Sequence, residues 1–196
     1  MRIEEELFFS PKNRFIDLKW DDKKNLIGAF EDRVIGYYLK PAEILEGDDF
    51  AFARGVICVS AIDFISRIET GIEEVKERFN SWLKDNIREF APHGPGNTSQ
   101  TLALRFYKEF RHGLVHEGRI KNAGQFSYSF QDLVRVEQSI MIVNPKYLLE
   151  AVKKAFGRYI DKVNDDDFTF HAFRCALLQD FRKDIEYSNR MGIKAK

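Results

Sequence analysis

The segment from Asp48 to Thr70 most constrains what this chain can fold into. Val56, Ile57, Val59, Ile62, Ile65 and Ile68 recur at helical spacing and cover more than half of a helix's circumference. A helix that apolar has to be surrounded, and the flanking sequence offers helices to surround it. Upstream, an Asp21 or Asp22 cap opens a helix to about Lys40, with Ile27, Phe30, Val34, Tyr37 and Tyr38 on one face. Pro41 is expected to end it. Gly71 separates the central segment from a third helix, about 72–90, carrying Ile72, Val75, Phe79, Trp82, Leu83 and Ile87. The expectation is a mainly α fold, a helical bundle.

The remaining segments read as additions to that bundle. Residues 1–20 are expected to be irregular, with Pro11 as a breaker. Residues 91–99 form a Gly- and Pro-rich loop without the GxxxxGK[ST] pattern of a phosphate loop, and Thr98 or Ser99 would cap the next helix. In Phe126, Tyr128 and Phe130 apolar residues alternate with serines, and 133–143 is rich in Val and Ile. This period of two predicts a small β-hairpin within about 125–143. Asn144-Pro145 reads as a cap followed by Pro at the first helical position, opening a helix to about Val163. Asn164 to Asp167 cap a last helix to about Asn189, and the tail from Gly192 to Lys196 is expected to fray. Together these give one domain over residues 1–196: a helical core at about 22–120, the hairpin, and C-terminal helices at about 145–190.

Lys plus Arg and Asp plus Glu both number 31, so bulk charge does not recruit nucleic acid and any such contact needs a local patch. The 18 Phe predict an aromatic-rich core with some rings left for a subunit interface. Cys58 and Cys175 form no CxxC pair and read as small core residues in a reducing compartment. No apolar run approaches the roughly 20 residues of a membrane span. No signal-type segment follows the acidic start, so a soluble cytoplasmic protein is expected.

Chemistry concentrates at residues 111–116, Arg-His-Gly-Leu-Val-His. On a regular helix Leu102, Phe106, Phe110 and Leu114 form the buried row. Taking Phe110 as zero, Lys108, Arg119, His112, Arg105 and His116 fall at roughly 160° to 240°, opposite that row, with Arg111 at roughly 100° on the flank. That arc contains no carboxylate, whereas a merely solvated face should mix both signs.

Three readings of this constellation stay open. RNA carries its own nucleophile, so a base, an acid and a cation for the phosphate suffice to cleave it, without metal or cofactor. His116 can move the proton, Arg111 can clamp the phosphate, and His112 can be a second proton carrier or a hydrogen-bonding group. Alternatively, His112 and His116 at i, i+4 match a Zn²⁺ pair, which needs a third ligand such as His93, His171 or Glu117. Finally, the same basic face can hold RNA, a nucleotide or an acidic partner without chemistry.

The stretch from Phe106 to Gly118 resembles the signature of the HEPN superfamily, helical domains of prokaryotic toxin–antitoxin, phage-defence and CRISPR-associated proteins and of some eukaryotic RNases. Arg111, the polar His112 and His116 match its Rx4–6H motif with a four-residue spacer. The resemblance covers mainly residues 50–120. It implies a metal-independent endoribonuclease that leaves a 2′,3′-cyclic phosphate and a 5′-OH. It also implies a homodimer in which two motifs meet in one cleft, with an antitoxin or other regulatory protein as a possible partner. The alternative it leaves is an inactive member that only binds RNA, nucleotides or protein. Under the active reading Arg111, His116 and His112 are catalytic, and Arg105, Lys108 and Arg119 contact flanking phosphates. Asp63 orients Arg111 or His116, and Glu117 tunes His116 or caps the helix.

Overall fold

The computed structural model describes residues 2–3, 6–92, 94 and 100–194. It is mainly helical, with a small three-stranded sheet and a two-stranded N-terminal ribbon. Its internal contacts divide it into two compact units. One is central and continuous, Leu39–Phe156; the other joins the ends, Met1–Tyr38 with Gly157–Lys196.

In the terminal unit the start is more ordered than its sequence suggests. Strands β1 (Arg2–Ile3) and β2 (Glu6–Leu7) pair antiparallel, and a short 3₁₀ turn comes next at Phe15–Asp17. Helix α1 (Lys23–Val34) begins where the Asp22 carboxylate accepts from the Asn25 amide at 3.0 Å, satisfying one of the free N–H groups of the first turn. Phe9 meets Phe181 edge-on and Phe15 meets it at a tilt, and Phe30 meets Phe173 edge-on. The Arg33 guanidinium lies 4.7 Å from the Phe181 ring centre, a cation–π contact, and its burial holds its pKa below the ordinary value. Helices α8 (Asp167–Asp180) and α9 (Arg182–Lys194) replace the single last helix expected, with the break at Phe181. The frayed tail expected at 192–196 is helical backbone to Lys194, and 195–196 lie outside the described residues.

Pro41 does not end the first helix. After α1 comes a π-helical turn, Ile35–Leu39, and then α2 (Lys40–Ile44), with Pro41 in its first turn. A proline in a regular helix interior has no N–H to return and its ring presses on the carbonyl four residues back; the wider turn before Pro41 relieves both.

In the central unit, α3 (Ala51–Thr70) is the central helix the sequence announces, closed by Gly71 at φ 63°, a left-handed cap that costs glycine little. Helix α4 (Val75–Asn86) packs beside it, its first amides held by the Glu74 carboxylate. The segment of α5 (Leu102–Phe106), a π-helical turn (Tyr107–Arg111) and α6 (His112–Glu117) is one continuous run that packs against α3 and α4. A ladder of rings ties these elements together: Phe90, Phe106 and Phe110 meet in sequence at a tilt, with ring centres 4.9 and 4.8 Å apart, and Phe110 meets Phe126 at 5.0 Å.

The hairpin is real but shorter than predicted. It joins β4 (Val134–Glu137) to β5 (Ile140–Val143) through Gln138 and Ser139, both at positive φ, as a two-residue hairpin turn requires. The alternating segment around Phe126 supplies only β3 (Gln125–Phe126), which lies parallel to β5. Helix α7 (Pro145–Asp165) opens as expected, with the Asn144 side chain accepting from the Lys146 amide at 3.0 Å. Cys58 is buried as expected, but Cys175 is exposed, so only one of the two cysteines is a core residue. Among the described residues no helix is long and apolar enough to cross a membrane.

Candidate functional site

The motif run starts at Thr101, whose hydroxyl accepts from the Leu104 amide at 3.2 Å. Thr98 and Ser99, the caps expected from the sequence, lie outside the described residues, as does His93. The decisive local feature is the π-helical turn at Tyr107–Arg111. A π turn accommodates one more residue than an α turn, so positions beyond it are rotated by roughly 100° relative to a regular wheel. Glu109 and Phe110 both turn inward and are buried. Leu114, expected in the buried row, is only half-buried, and Val115 is 58% exposed.

The structure corrects the predicted basic face at two points. Arg105 is not on it: its guanidinium forks onto Glu109 at 2.9 and 3.3 Å and donates to the Ser139 carbonyl at 2.9 Å, in a largely enclosed place. Arg105 is therefore a clamp between the motif run and the hairpin turn, and does not stand ready for a flanking phosphate. Nor is the arc free of carboxylates, because Glu117 pairs with Arg119 at 2.7 Å and with Lys121. These two cations hold the Glu117 carboxyl below its ordinary range, with the Lys121 hydrogen bond the largest contribution. Lys108 remains exposed, its ammonium donating to Gln100 at 3.3 Å.

Arg111 sits in the last position of the π turn and reaches α3. Its Nη2 and Nε donate to Asp63 Oδ2 at 2.7 and 3.2 Å. The other oxygen, Oδ1, accepts from Arg78 at 3.0 Å, and Arg78 also donates to the Glu73 carbonyl. One carboxylate thus faces two guanidiniums, leaving a local excess of one positive charge. The remaining donor of Arg111, Nη1, has no partner among the described residues. Arg78 is not among the residues the motif points to, although it falls on the apolar face of its helix between Val75, Phe79 and Trp82, where a charge demands a counter-charge.

The two histidines stand together on α6. Their ring centres are 4.5 Å apart with planes tilted by 46°. His112 Nδ1 lies 3.2 Å from the Lys121 ammonium. An ammonium only donates, so Nδ1 accepts and the neutral ring carries its proton on Nε2. Partial enclosure first, then Lys121, His116 and Arg111, hold His112 below the ordinary histidine value. His112 is therefore neutral at pH 7, a donor through Nε2. His116 is exposed. Lys121 is the second site residue that the motif does not reveal; its i, i+4 spacing from Glu117 is the available signal.

Gly113 makes this possible. A Cβ there would come within 2.4 Å of the Arg119 carbonyl oxygen. Beyond Gly118, at φ 65°, the chain folds back over Gly113, and the Lys121 amide donates to the Glu109 carbonyl at 2.8 Å. The return brings Lys121 to His112.

As to metals, no group of three His, Cys, Asp or Glu is placed to hold an ion among the described residues, and Glu117 is engaged by its two cations. No family model, no curated protein and no solved structure matches this chain.

Proposed function

We propose that this protein is a metal-independent endoribonuclease of the HEPN type, cutting RNA by attack of the 2′-OH on the neighbouring phosphate. The observation that carries the reading is the state of Arg111. Asp63 fixes one edge of its planar fork, while Nη1 is left without a protein partner among the described residues, and Arg111 is close enough to His112 to help hold that ring's pKa down. A guanidinium held this way is pre-aimed at a phosphate oxygen and loses little freedom on binding.

The roles derive from the tautomer of His112 and from the position of His116. His112 donates through Nε2 to a phosphate oxygen or a base. His116, exposed at the end of the run, moves the proton. In-line displacement needs a base behind the attacking oxygen and an acid behind the leaving oxygen. Two rings 4.5 Å apart are in contact with each other and cannot stand on opposite sides of one phosphorus. A second copy of the chain supplies the other proton carrier, so the working form in this reading is a homodimer with a shared cleft. Exposed Val115, between the histidines in sequence, gives that partner an apolar contact. Arg119 and Lys108 are the remaining exposed cations of the motif that can meet flanking phosphates.

The test uses labelled RNA in the presence of EDTA. Cleavage to 2′,3′-cyclic phosphate ends is expected from the natural chain. His116→Ala and Arg111→Ala should each lose at least ~100-fold in rate, the usual weight of a proton carrier or an oxyanion clamp. Unchanged cleavage by both folded variants would remove the assignment, and RNA binding without any cleavage would leave a binding module in its place.

A further inference from the structure

Helix α8 carries a second pair of chemically active side chains, outside the motif run. Its inner side is fixed: Phe173 packs edge-on against Phe30 and Tyr159, and Leu177 is buried. The Asp166 carboxylate accepts from the Thr169 amide at 2.7 Å in the first turn. Arg174 is tied down as well, donating to the Trp20 carbonyl at 2.8 Å and to Asp21. The outer side is left to solvent, and its exposed residues are Asp167, Phe168, His171, Ala172, Cys175 and Gln179. Beyond Asp167 none of these carries a fixed charge, although charged residues make up 32% of the chain. Phe168, His171 and Cys175 stand at i, i+3 and i+7, which places them on one stripe. Phe168 is 81% exposed, more than any other large apolar side chain among the described residues.

On this stripe Cys175 Sγ lies 3.6 Å from His171 Nε2. A tetrahedral Zn²⁺ holds thiolate sulfur at about 2.3 Å and imidazole nitrogen at about 2.1 Å, which puts the two ligand atoms about 3.6 Å apart. The pair therefore has the length of one edge of a zinc tetrahedron. Its i, i+4 spacing on a firmly packed helix supplies that edge with little ordering left to do on binding. Thiolate and imidazole together suit Zn²⁺ and not the oxygen-seeking Mg²⁺ or Ca²⁺. Two ligands are half of a structural site, and no third His, Cys, Asp or Glu joins them among the described residues. The stripe has what a second copy of itself needs in order to supply the other half. It is uncharged around the pair, Ala172 beside the pair is small enough for close approach, and the exposed Phe168 ring gains from being covered.

We infer that two copies of this chain bind one Zn²⁺ between their α8 helices, each giving His171 Nε2 and Cys175 Sγ to a Cys₂His₂ centre. Each thiol releases its proton to solvent on coordination, so two thiolates balance the two charges of the ion. The completed centre is neutral, which matches the uncharged stripe around it. A two-fold axis through the ion makes the contact self-complementary. The ion is structural, since all four positions are filled by protein and none is open to a substrate. This inference is independent of the cleavage reading: α8 belongs to the terminal unit and the candidate cleavage residues to the central one. EDTA, in which cleavage is to be measured, strips this ion and leaves that test as it stands.

Cobalt(II) is the probe, because its bond to thiolate absorbs in the near ultraviolet and its visible bands report tetrahedral geometry. Titrated into the full chain without air, with a non-thiol reductant present, Co²⁺ should bring the thiolate band to saturation at one ion per two chains, and Zn²⁺ should then displace it. Cys175→Ser should abolish the band, since Cys58 is buried and does not take its place. His171→Ala should weaken Co²⁺ binding at least ~10-fold. Both side chains are exposed, so the melting temperature of either variant in EDTA should equal that of the natural chain. Sedimentation over a dilution series should show self-association at least ~10-fold tighter in Zn²⁺ than in EDTA for the natural chain, and no difference for either variant. No thiolate band, saturation at one ion per chain, a band that survives Cys175→Ser or is unchanged in His171→Ala, or the same self-association with and without Zn²⁺ overturns the inference.

Discussion

Asp63 is the residue on which the candidate site turns, because one carboxylate with 23% of its side chain exposed is the shared counter-charge of two guanidiniums from different helices. Asp63→Asn keeps the shape and removes the charge. It is expected to cost about 2–3 kcal/mol, less than for a fully enclosed pair because water still reaches the carboxylate. The same change should lower RNA cleavage more than it lowers RNA binding, because Arg111 stays charged but loses its aim; urea denaturation and single-turnover kinetics separate the two effects. Lys121 makes a second residue-level prediction. In a proton NMR titration His112 should have a midpoint below about 6.5, the ordinary histidine value, and Lys121→Met should raise it. A histidine held low binds fewer protons folded than unfolded, so its contribution to stability is intact above about 6.5 and is lost as pH falls through its own lower midpoint. Of the residues named from sequence, Arg111, His112, Asp63 and Glu117 do meet charged or titratable neighbours. Arg105 is not free for a phosphate because Glu109, at i, i+4, is its counter-charge, a pairing that the sequence spacing already offers. Leu114, by contrast, leaves the buried row that a regular wheel gives it, because it lies beyond a π turn that propensity does not report.

That turn is the element-scale lesson. Helices α1, α3 and α7 are legible because each is an uninterrupted periodic run with a readable start or stop: Asp22, Gly71 and Asn144. Both π turns are invisible, since a single extra residue in a helix leaves no compositional trace and only shifts the faces of the residues beyond it. The hairpin is legible as a period of two but misplaced, because its turn uses Gln138 and Ser139 in place of the usual Asn-Gly pair. Gly113 links the motif run to its return segment, and here the glycine is required by space and not by φ. Gly113→Ala puts a methyl against the Arg119 backbone, which must move by several tenths of an ångström or more. The expected cost is about 1–3 kcal/mol in urea denaturation. The accompanying sign is an upward move of the His112 titration, as Lys121 is displaced with the return segment; a Gly113→Ala protein with both values unchanged would show that the fold-back does not set the site.

At the scale of the whole molecule, every residue of the candidate site belongs to the continuous unit Leu39–Phe156, while the chain ends form a second unit that contributes none of them. No linker or change of composition marks that division in the sequence, because two helices, α1 running on through its π turn and α7, pass from one unit to the other without a break. The site's own chemistry then raises the question of what completes it, since the two histidines of one chain are side by side. Mixing natural and inactive chains answers it. In the shared cleft each of the two His116 copies is one proton carrier, so a dimer of one natural chain and one His116→Ala chain lacks one of them. After unfolding and refolding in equal amounts, random pairing makes about half of the dimers mixed and about a quarter wholly natural, so cleavage should fall to about a quarter of that of the same total amount of natural protein. If each chain instead works alone, every natural chain keeps its rate and the mixture retains about half. Light scattering on the same samples confirms that dimers have formed, so a mixture of dimers that retains about half rejects the shared cleft even if the natural protein cleaves RNA.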